Sequence, residues 1–432
     1  MTVRDLLIGS NLPAVKRHNR SLVLRILLHQ GPISRTEIGE LTRLTPATIG
    51  NVVGELIESG LAVELGAAER TSAQRLGRRR LLIDLNAQGF AVVGVYLGVR
   101  FIQVGIGDLR GRVLGKSMVS TGEQRSPDLI FSLVREQLAS VLRQTGIPRE
   151  RILGVGVGSI GLVNSATGEV VDMPQYGWRK VPAKVELQRV LGLPTAVDNS
   201  RRVMATAEAW LGRGQGIGSV LLVHVATTIG GAVVFRGEVL HGANYAAGQL
   251  GHLIVAENGE RCTCGRVGCL DTVASGAAMA TAMLRASEEE QPALLLAATH
   301  GKLDSVDLER VFEAAEHGNQ QAQRLIDRSA HYVGVGVAHY VSLFDPEIVI
   351  LAGGVALLGG RRYLERVAAV ATERAYRSGC RRIEIVPTAF GADIELVGPF
   401  SLALRHFVYS ADAAPLGNGR ERRAAGGDRV LV

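Results

Sequence analysis

No apolar run in this chain reaches the 18 or so residues that a membrane-spanning helix needs. Even the stretch 217–235 is interrupted by Ser219, His224, Thr227 and Thr228. The first twenty residues, MTVRDLLIGSNLPAVKRHNR, lack an apolar segment followed by a small-residue cleavage site. No signal peptide is expected, and the sequence reads as soluble and cytoplasmic with no membrane partner. Cysteine is scarce, 4 in 432 residues, which excludes a disulfide framework. Charge is sparse as well, 21% against 47% hydrophobic, so wholesale disorder is excluded and sizeable cores are available. A length of 432 residues suggests two or three domains.

A strong charge of one sign is also missing. Lys and Arg number 48 against 41 Asp and Glu, a net +7. That small excess is uneven. Residues 1–80 hold 12 Lys/Arg and 7 Asp/Glu, so +5 of the +7 lies in less than a fifth of the chain. A basic N-terminal end on a nearly neutral body points to nucleic-acid contact by that end.

What is present there is helical. Leu22, Val23, Ile26 and Leu27 form a stripe over Ser21–Gln30 that Gly31-Pro32 stops. Ser34 and Glu37 have the spacing of a capping box opening a short helix through Arg43. Thr45-Pro46 supplies an N-cap and an N1 proline for a third helix to about Ser59, with Ile49, Val52, Val53, Leu56 and Ile57 inward. Two short strands, 61–65 and 80–85, follow around a polar loop. The second and third helices have helix–turn–helix lengths. Ala47, Thr48 and Asn51 then face base edges, Thr45 a phosphate, and Arg35 and Arg43 flank for backbone anchoring. Arg78, Arg79 and Arg80 sit in the hairpin as a wing. The competing reading is a helical bundle used for protein contacts.

Past Gly89 the texture changes to short β-rich runs separated by glycines. Strands at 90–95, 101–106 and 112–119 precede a helix from Pro127 to Gln144, with strands at 152–157 and 195–197 and a helix over 201–211. A second set starts at 219–225, 232–235 and 238–240, and closes with a helix over 323–342, a strand at 347–351 and an αβ unit ending at 383–386. Two such sets in series suggest a duplicated α/β body with a cleft between its lobes. The boundaries expected are 1–85 for a winged helix–turn–helix domain, 86–410 for the body and 411–432 for a small, polar, disordered tail.

Three of the four cysteines fall within eight residues. His252, Cys262, Cys264 and Cys269 give H-x9-C-x-C-x4-C, a set that fills a tetrahedral zinc shell with no open position. The zinc would be structural, pinning the loop 251–270. The alternative is reduced cysteines in a glycine-rich loop.

These residues carry a resemblance. Ala247-Gly248-Gln249-Leu250-Gly251-His252, followed by Cys262-Thr263-Cys264-Gly265-Arg266-Val267-Gly268-Cys269-Leu270-Asp271, resembles the sugar and zinc signature of the ROK family, which groups bacterial sugar kinases with transcriptional repressors. The likeness runs from about residue 15 to 405. It implies an α/β, two-lobed, actin-like body of the sugar kinase and RNase H-like kind, and the N-terminal helices are similar to the winged helix of the repressor branch. It also implies that Asn199, His252 and Asp271 hydrogen-bond sugar hydroxyls, that Gly158–Gly161 line the cleft, and that Gln249 stands where the family has Glu.

The departures from the kinases concern phosphoryl transfer. The family's base is an Asp in an Asn-Asp pair, and Ser200 takes its place after Asn199. A hydroxyl there forfeits about 10²–10⁴-fold in rate. Asp198 would substitute only by a register shift. Tyr96 and Val99 replace the Asp and a Gly of the first phosphate loop, and Ala226-Thr227-Thr228 replaces Gly-Thr-Gly in the second. Only Gly353-Gly354, the adenosine-side turn, is kept, and it reads equally as a bare structural turn. Arg202 adds a cation near the pocket that would suit an acidic or phosphorylated ligand, or close the site. The resulting expectation is a non-enzymatic regulator that binds a double-stranded DNA operator as a homodimer or tetramer, repressing carbohydrate-utilisation genes under a sugar or sugar-phosphate effector. The alternatives are an ATP-dependent sugar kinase with an accessory DNA-binding domain, and a regulator controlled by a protein partner.

Overall fold

A computed structural model describes residues 12–67, 81–123, 125–290, 308–376 and 383–413. The N-terminal unit is α1 (Leu12–Gln30), β1 (Ile33–Ser34), α2 (Arg35–Thr42), α3 (Pro46–Glu58), β2 (Ala62–Ala67) and β3 (Leu81–Leu85). The first helix begins well before Ser21, and Val23, Leu24, Leu27 and Leu28 bury its stripe. Ser34 Oγ accepts from Glu37 N at 3.3 Å while Glu37 Oε2 accepts from Ser34 N at 2.9 Å, completing the capping box. Ser34 also pairs with Leu82 as the end of β1, so one residue ends a strand and caps a helix. That double role hid β1 in the sequence. The strands form an antiparallel sheet in the order β1-β3-β2. Three helices and a three-stranded antiparallel sheet make up this unit. Ser34→Ala is expected to destabilise it by about 1 kcal/mol; an unchanged urea midpoint would show the cap to be idle.

The body repeats one topology. Its first lobe contains β4 (Ala91–Leu97), β5 (Phe101–Asp108), β6 (Val113–Ser120), α4 (Pro127–Thr145), β7 (Ile152–Ser159), α5 (Ala183–Leu191), β11 (Thr195–Asn199) and α6 (Ser200–Leu211). A small sheet of β8 (Leu162–Asn164), β9 (Glu169–Met173) and β10 (Trp178–Val181) is inserted after β7. The second lobe contains β12 (Ser219–Val225), β13 (Ile229–Phe235), β14 (Glu238–Val239), α7 (Leu270–Ala274), α8 (Gly276–Glu290), α9 (Leu308–Glu316), α10 (Gln320–Phe344), β15 (Ile348–Ala352), α11 (Gly354–Arg374) and β16 (Ile385–Pro387), after which α12 (Ile394–Phe407) returns to the first lobe. The sheets run β6-β5-β4-β7-β11 and β14-β13-β12-β15-β16. In both, an antiparallel meander continues into two parallel strands. The duplicated α/β reading therefore holds, with the small sheet and α12 as additions.

The glycines of the first lobe have a physical reason. A Cβ on Gly94 or Gly107 would stand 2.6 or 2.8 Å from the Phe400 ring, and one on Gly156 would stand 2.0 Å from Pro399 O. The sheet face is stripped so that α12 can lie directly on it. Pro399 inside α12 reads as a breaker in the sequence, which concealed this helix.

The N-terminal unit docks on this lobe. Arg110, in the β5–β6 turn, donates to Leu28 O at 3.0 Å and to Asp84 Oδ1 at 2.5 Å. Ser21 Oγ donates to Tyr409 O at 2.5 Å, and Tyr409 OH to Leu109 O at 2.7 Å. Trp210, near the end of α6, packs edge-on against Tyr409 at 5.0 Å and His29 at 6.0 Å. The chain remains packed to Ala413, which is buried, so the tail expected from 411 is ordered at its start. Residues 414–432 lie outside the described residues. No described helix is long and apolar enough to cross a membrane.

Candidate functional site: an interlobe cleft beside a His/Cys cluster

A cleft of about 690 Å³ opens between the lobes, and all five residues expected at a sugar site line it: Gly161, Asn199, Gln249, His252 and Asp271. They arrive from different elements. Asn199 ends β11 and caps α6, its Oδ1 accepting from Arg201 N at 2.9 Å. Its Nδ2 donates to Gly161 O at 2.7 Å. Gly161 has φ +83, and a Cβ there would stand 2.5 Å from Asp172 O, so only glycine fits the turn. Asp271 enters from α7, and its Oδ1 accepts from Ile229 N at 2.6 Å. Burial pushes its carboxyl up to about 6, against the pull of that N–H and of Arg201. Gln249 and His252 come from the loop after β14. Of the stretch 158–161, only Ile160 and Gly161 reach the cleft.

The small sheet supplies a wall that sequence reasoning missed, with Asp172, Gln175, Trp178 and Arg179 in the lining. Its strands have three to five residues with mixed burial, too short to show a period.

The positions equivalent to a kinase's reacting groups are filled or tied down. Ser200 is fully buried and accepts from Arg201 NH1 at 2.9 Å. Asp198 does not line the cleft, which removes the register-shift substitute. Arg202 donates to it from Nε at 2.8 Å and from NH2, and His241 Nε2 lies 3.6 Å from its other oxygen. Burial works against the Asp198 charge, but His241 and Arg202 outweigh it and hold the carboxyl below the usual range. The expectation that Arg202 faces the pocket is corrected. Its remaining bonds are to Val163 O and Tyr245 O, whereas Arg201 lines the cleft. Successive residues on a helix point about 100° apart, so only one of two adjacent arginines can face inward.

The first phosphate loop is plugged by aromatic packing. Tyr96 is buried and lies 5.6 Å from the Phe101 ring, and Tyr176 OH donates to Gly98 O at 2.6 Å. In the second loop Thr228, at a family glycine, accepts from Arg201 NH2 at 2.7 Å. Gly353 has φ +92 and a Cβ there would stand 2.4 Å from Val225 O. Packing alone demands that glycine.

His252, Cys262, Cys264 and Cys269 converge, their ligand atoms all within 4.8 Å of one another. Cys262 Sγ lies 3.6 Å from His252 Nδ1, and Cys264 Sγ 3.6 Å from Cys269 Sγ. Tetrahedral coordination with about 2.3 Å metal–sulfur and 2.05 Å metal–nitrogen bonds needs edges of about 3.5–3.8 Å. The set therefore fits a metal ion. Burial and then Arg266 lower the His252 pKa, favouring the neutral imidazole that ligates. Burial opposes the Cys264 thiolate, but the Arg266 backbone and the other two thiols bring it to about 7.

At the N-terminal unit, Ala47 and Asn51 are exposed on α3, with Gly50 and Gly54 leaving open space beside them. Thr45 Oγ1 accepts from Thr48 N at 3.3 Å, and the two hydroxyls lie 2.9 Å apart. Arg43 is exposed at φ 58. Arg35 pairs with Glu64 at 3.0 Å, which draws its charge toward the wing. Arg78, Arg79 and Arg80 lie outside the described residues.

The ROK family profile matches residues 92–406. The xylose repressor of Caldicellulosiruptor bescii is 28% identical over 370 residues, covering 85% of this chain and 90% of its own. The glucokinase of Halalkalibacterium halodurans is 33% identical over 271 residues, or 62% of this chain and 81% of its own. A solved ROK family transcriptional regulator, a homologue of the E. coli MLC protein, superposes with a TM-score of 0.74 at 25% identity, over 90% of this chain and 97% of its own. The likeness to the repressor and the regulator thus extends over more of the chain than the likeness to the kinase. With two matching lobes around the cleft and the profile spanning most of its length, the chain belongs to the ROK family.

Proposed function

We propose that this chain is a sequence-specific DNA-binding transcriptional regulator, a repressor of carbohydrate-utilisation genes, whose cleft binds a sugar or sugar phosphate without phosphoryl transfer. The observation that carries the reading is a unit of three helices and a three-stranded sheet docked on a two-lobed body with a buried serine, Ser200, where the resemblance to the kinases puts their base. Ser200 cannot take up a substrate proton efficiently near neutral pH. The xylose repressor and MLC-like regulator add support, since both resemble this chain over most of its length.

In this reading residues 1–85 read DNA and 86–410 sense the effector and dimerise. Thr45, Ala47, Thr48 and Asn51 meet the major groove while Arg35, Arg43, Arg78, Arg79 and Arg80 contact phosphates. Gly161, Asn199, Gln249, His252 and Asp271 hold the sugar. One short recognition helix reads few base pairs, so a twofold dimer on a near-palindromic site is implied. The metal is zinc, held by His252, Cys262, Cys264 and Cys269, and it fixes the loop that brings His252 and Asp271 to the cleft.

Footprinting on the DNA upstream of the protein's own gene, with and without candidate sugars, tests this. A protected site that a sugar releases is expected; no protection at low salt, or turnover of roughly 1–10³ s⁻¹ with ATP and a hexose, overturns it. Asn51→Ala is expected to relax sequence choice by about 1–3 kcal/mol at the base it contacts. Competition with single-base operator variants measures that loss.

A further inference from the structure

Arg201 is 7% exposed and lines the cleft, yet it forms no close ion pair; Asp271, on the same cleft, acts on it only at longer range. NH1 and NH2 donate to two neutral hydroxyls, those of Ser200 and Thr228. Its buried Nε has no partner. Among the described residues no carboxylate forms an ion pair with it, whereas neighbouring Arg202 is paired with Asp198. Arginine stays protonated in proteins, and a buried charge is costly unless something complements it. The placement is built in: a Cβ on Gly230 would stand 2.8 Å from Arg201 Nε and 2.9 Å from its Cγ, so the glycine admits the side chain. A second unpartnered buried atom on the same cleft, Gln175 Oε1, is an acceptor suited to a hydroxyl.

We propose that Arg201 is the counter-ion for a phosphate monoester carried by the sugar in this cleft. The inference rests on the effector reading above and narrows it to a phosphorylated sugar. A guanidinium has five N–H donors in a planar fork. Two are engaged and Nε is buried against Gly230, which leaves the second N–H of each terminal nitrogen to meet phosphate oxygens. Arg201, braced by the buried Ser200 hydroxyl, puts a cation beside the position where a kinase would place a base. That placement serves to hold an ester already formed by phosphoryl transfer elsewhere.

Calorimetry on the full-length chain tests this with glucose, mannose and N-acetylglucosamine, their 6-phosphates, and glucuronate. At least one 6-phosphate is expected to bind roughly tenfold or more tightly than its parent sugar. Arg201→Gln is expected to abolish that preference and leave the parent sugar's affinity within about threefold. Parent-sugar binding by Arg201→Gln shows that the variant is folded despite losing the bonds to Ser200 and Thr228; Arg201→Lys, which keeps the charge, should restore part of the preference. A parent sugar that binds as well as its phosphate in the wild type, or a preference surviving in Arg201→Gln, overturns the proposal and leaves the effector reading standing. An equal gain from glucuronate overturns the phosphate assignment. Binding of none of these compounds overturns both.

Discussion

Replacing Cys269 with serine is expected to release the metal and to abolish the effector's influence on DNA binding. Cys269 is fully buried, stands at the N-cap of α7 and forms a bridge with Ile254. The loop from Gly251 to Leu270 has little regular structure of its own, only the isolated bridges 254–269 and 261–267. Closed zinc shells in small domains are worth on the order of 10 kcal/mol of apparent folding free energy at neutral pH. Here the loss falls on the loop carrying His252 and on the helix carrying Asp271, both of which line the cleft. Elemental analysis should give about one zinc per wild-type chain and almost none in Cys269→Ser. Chelation of the wild type should reproduce the variant's lost effector response while DNA binding persists. Full metal occupancy in the variant would refute the ligand set.

Arg202→Met is expected to destabilise the protein by about 3 kcal/mol, because it removes the arginine partner of the buried Asp198 carboxylate and leaves it only His241 and the Asn199 N–H. The same arginine donates to Tyr245 O at 2.7 Å and Val163 O, so it ties α6 to the loop of the second lobe. The pH dependence has a definite sign. In the wild type the Asp198 pKa is depressed, so its contribution is present above the unfolded value near 4 and is lost as pH falls through the lower folded value. In the variant His241 and the Asn199 N–H still oppose burial, but the loss of Arg202 raises the pKa above its wild-type position, so the deficit is greatest near neutral pH and narrows on acidification. Denaturation from pH 7 to pH 4 should show that convergence. Adding Asp198→Asn should recover part of the loss. A deficit constant with pH, or a double variant no better than the single, would show that the pair is not the source.

The parts of this structure legible in the sequence were those with local causes. Ser34 with Glu37, and Thr45 with Pro46, are capping signals that act within one helical turn. The cysteine spacing declares its own geometry. The duplicated lobes showed through as repeated meander and helix, because each strand's apolar run is buried by its own neighbours. What escaped depends on distant partners. α12 contains Pro399 and lies on strands more than 230 residues away in sequence, at a face that Gly94, Gly107 and Gly156 clear for it. The three short strands walling the cleft have no period of their own. Arg201 and Arg202 are chemically identical, and only the seating of α6 decides which one lines the cleft. Arg35 carried the charge expected of an anchor, but Glu64 on the wing claims it.

α6 meets the cleft through Arg201 in its first turn and ends with Trp210 and Leu211 against the docked N-terminal unit. Its 12 residues span about 18 Å at 1.5 Å per residue. Nine of them are buried in an unbroken run, so the segment moves as a solid lever with no joint along its length. A tilt of about 5° at the cleft end would carry the far end about 1.6 Å, more than half the length of the bond between Ser21 and Tyr409. Mechanically, the cleft and the N-terminal unit hold opposite ends of one rod.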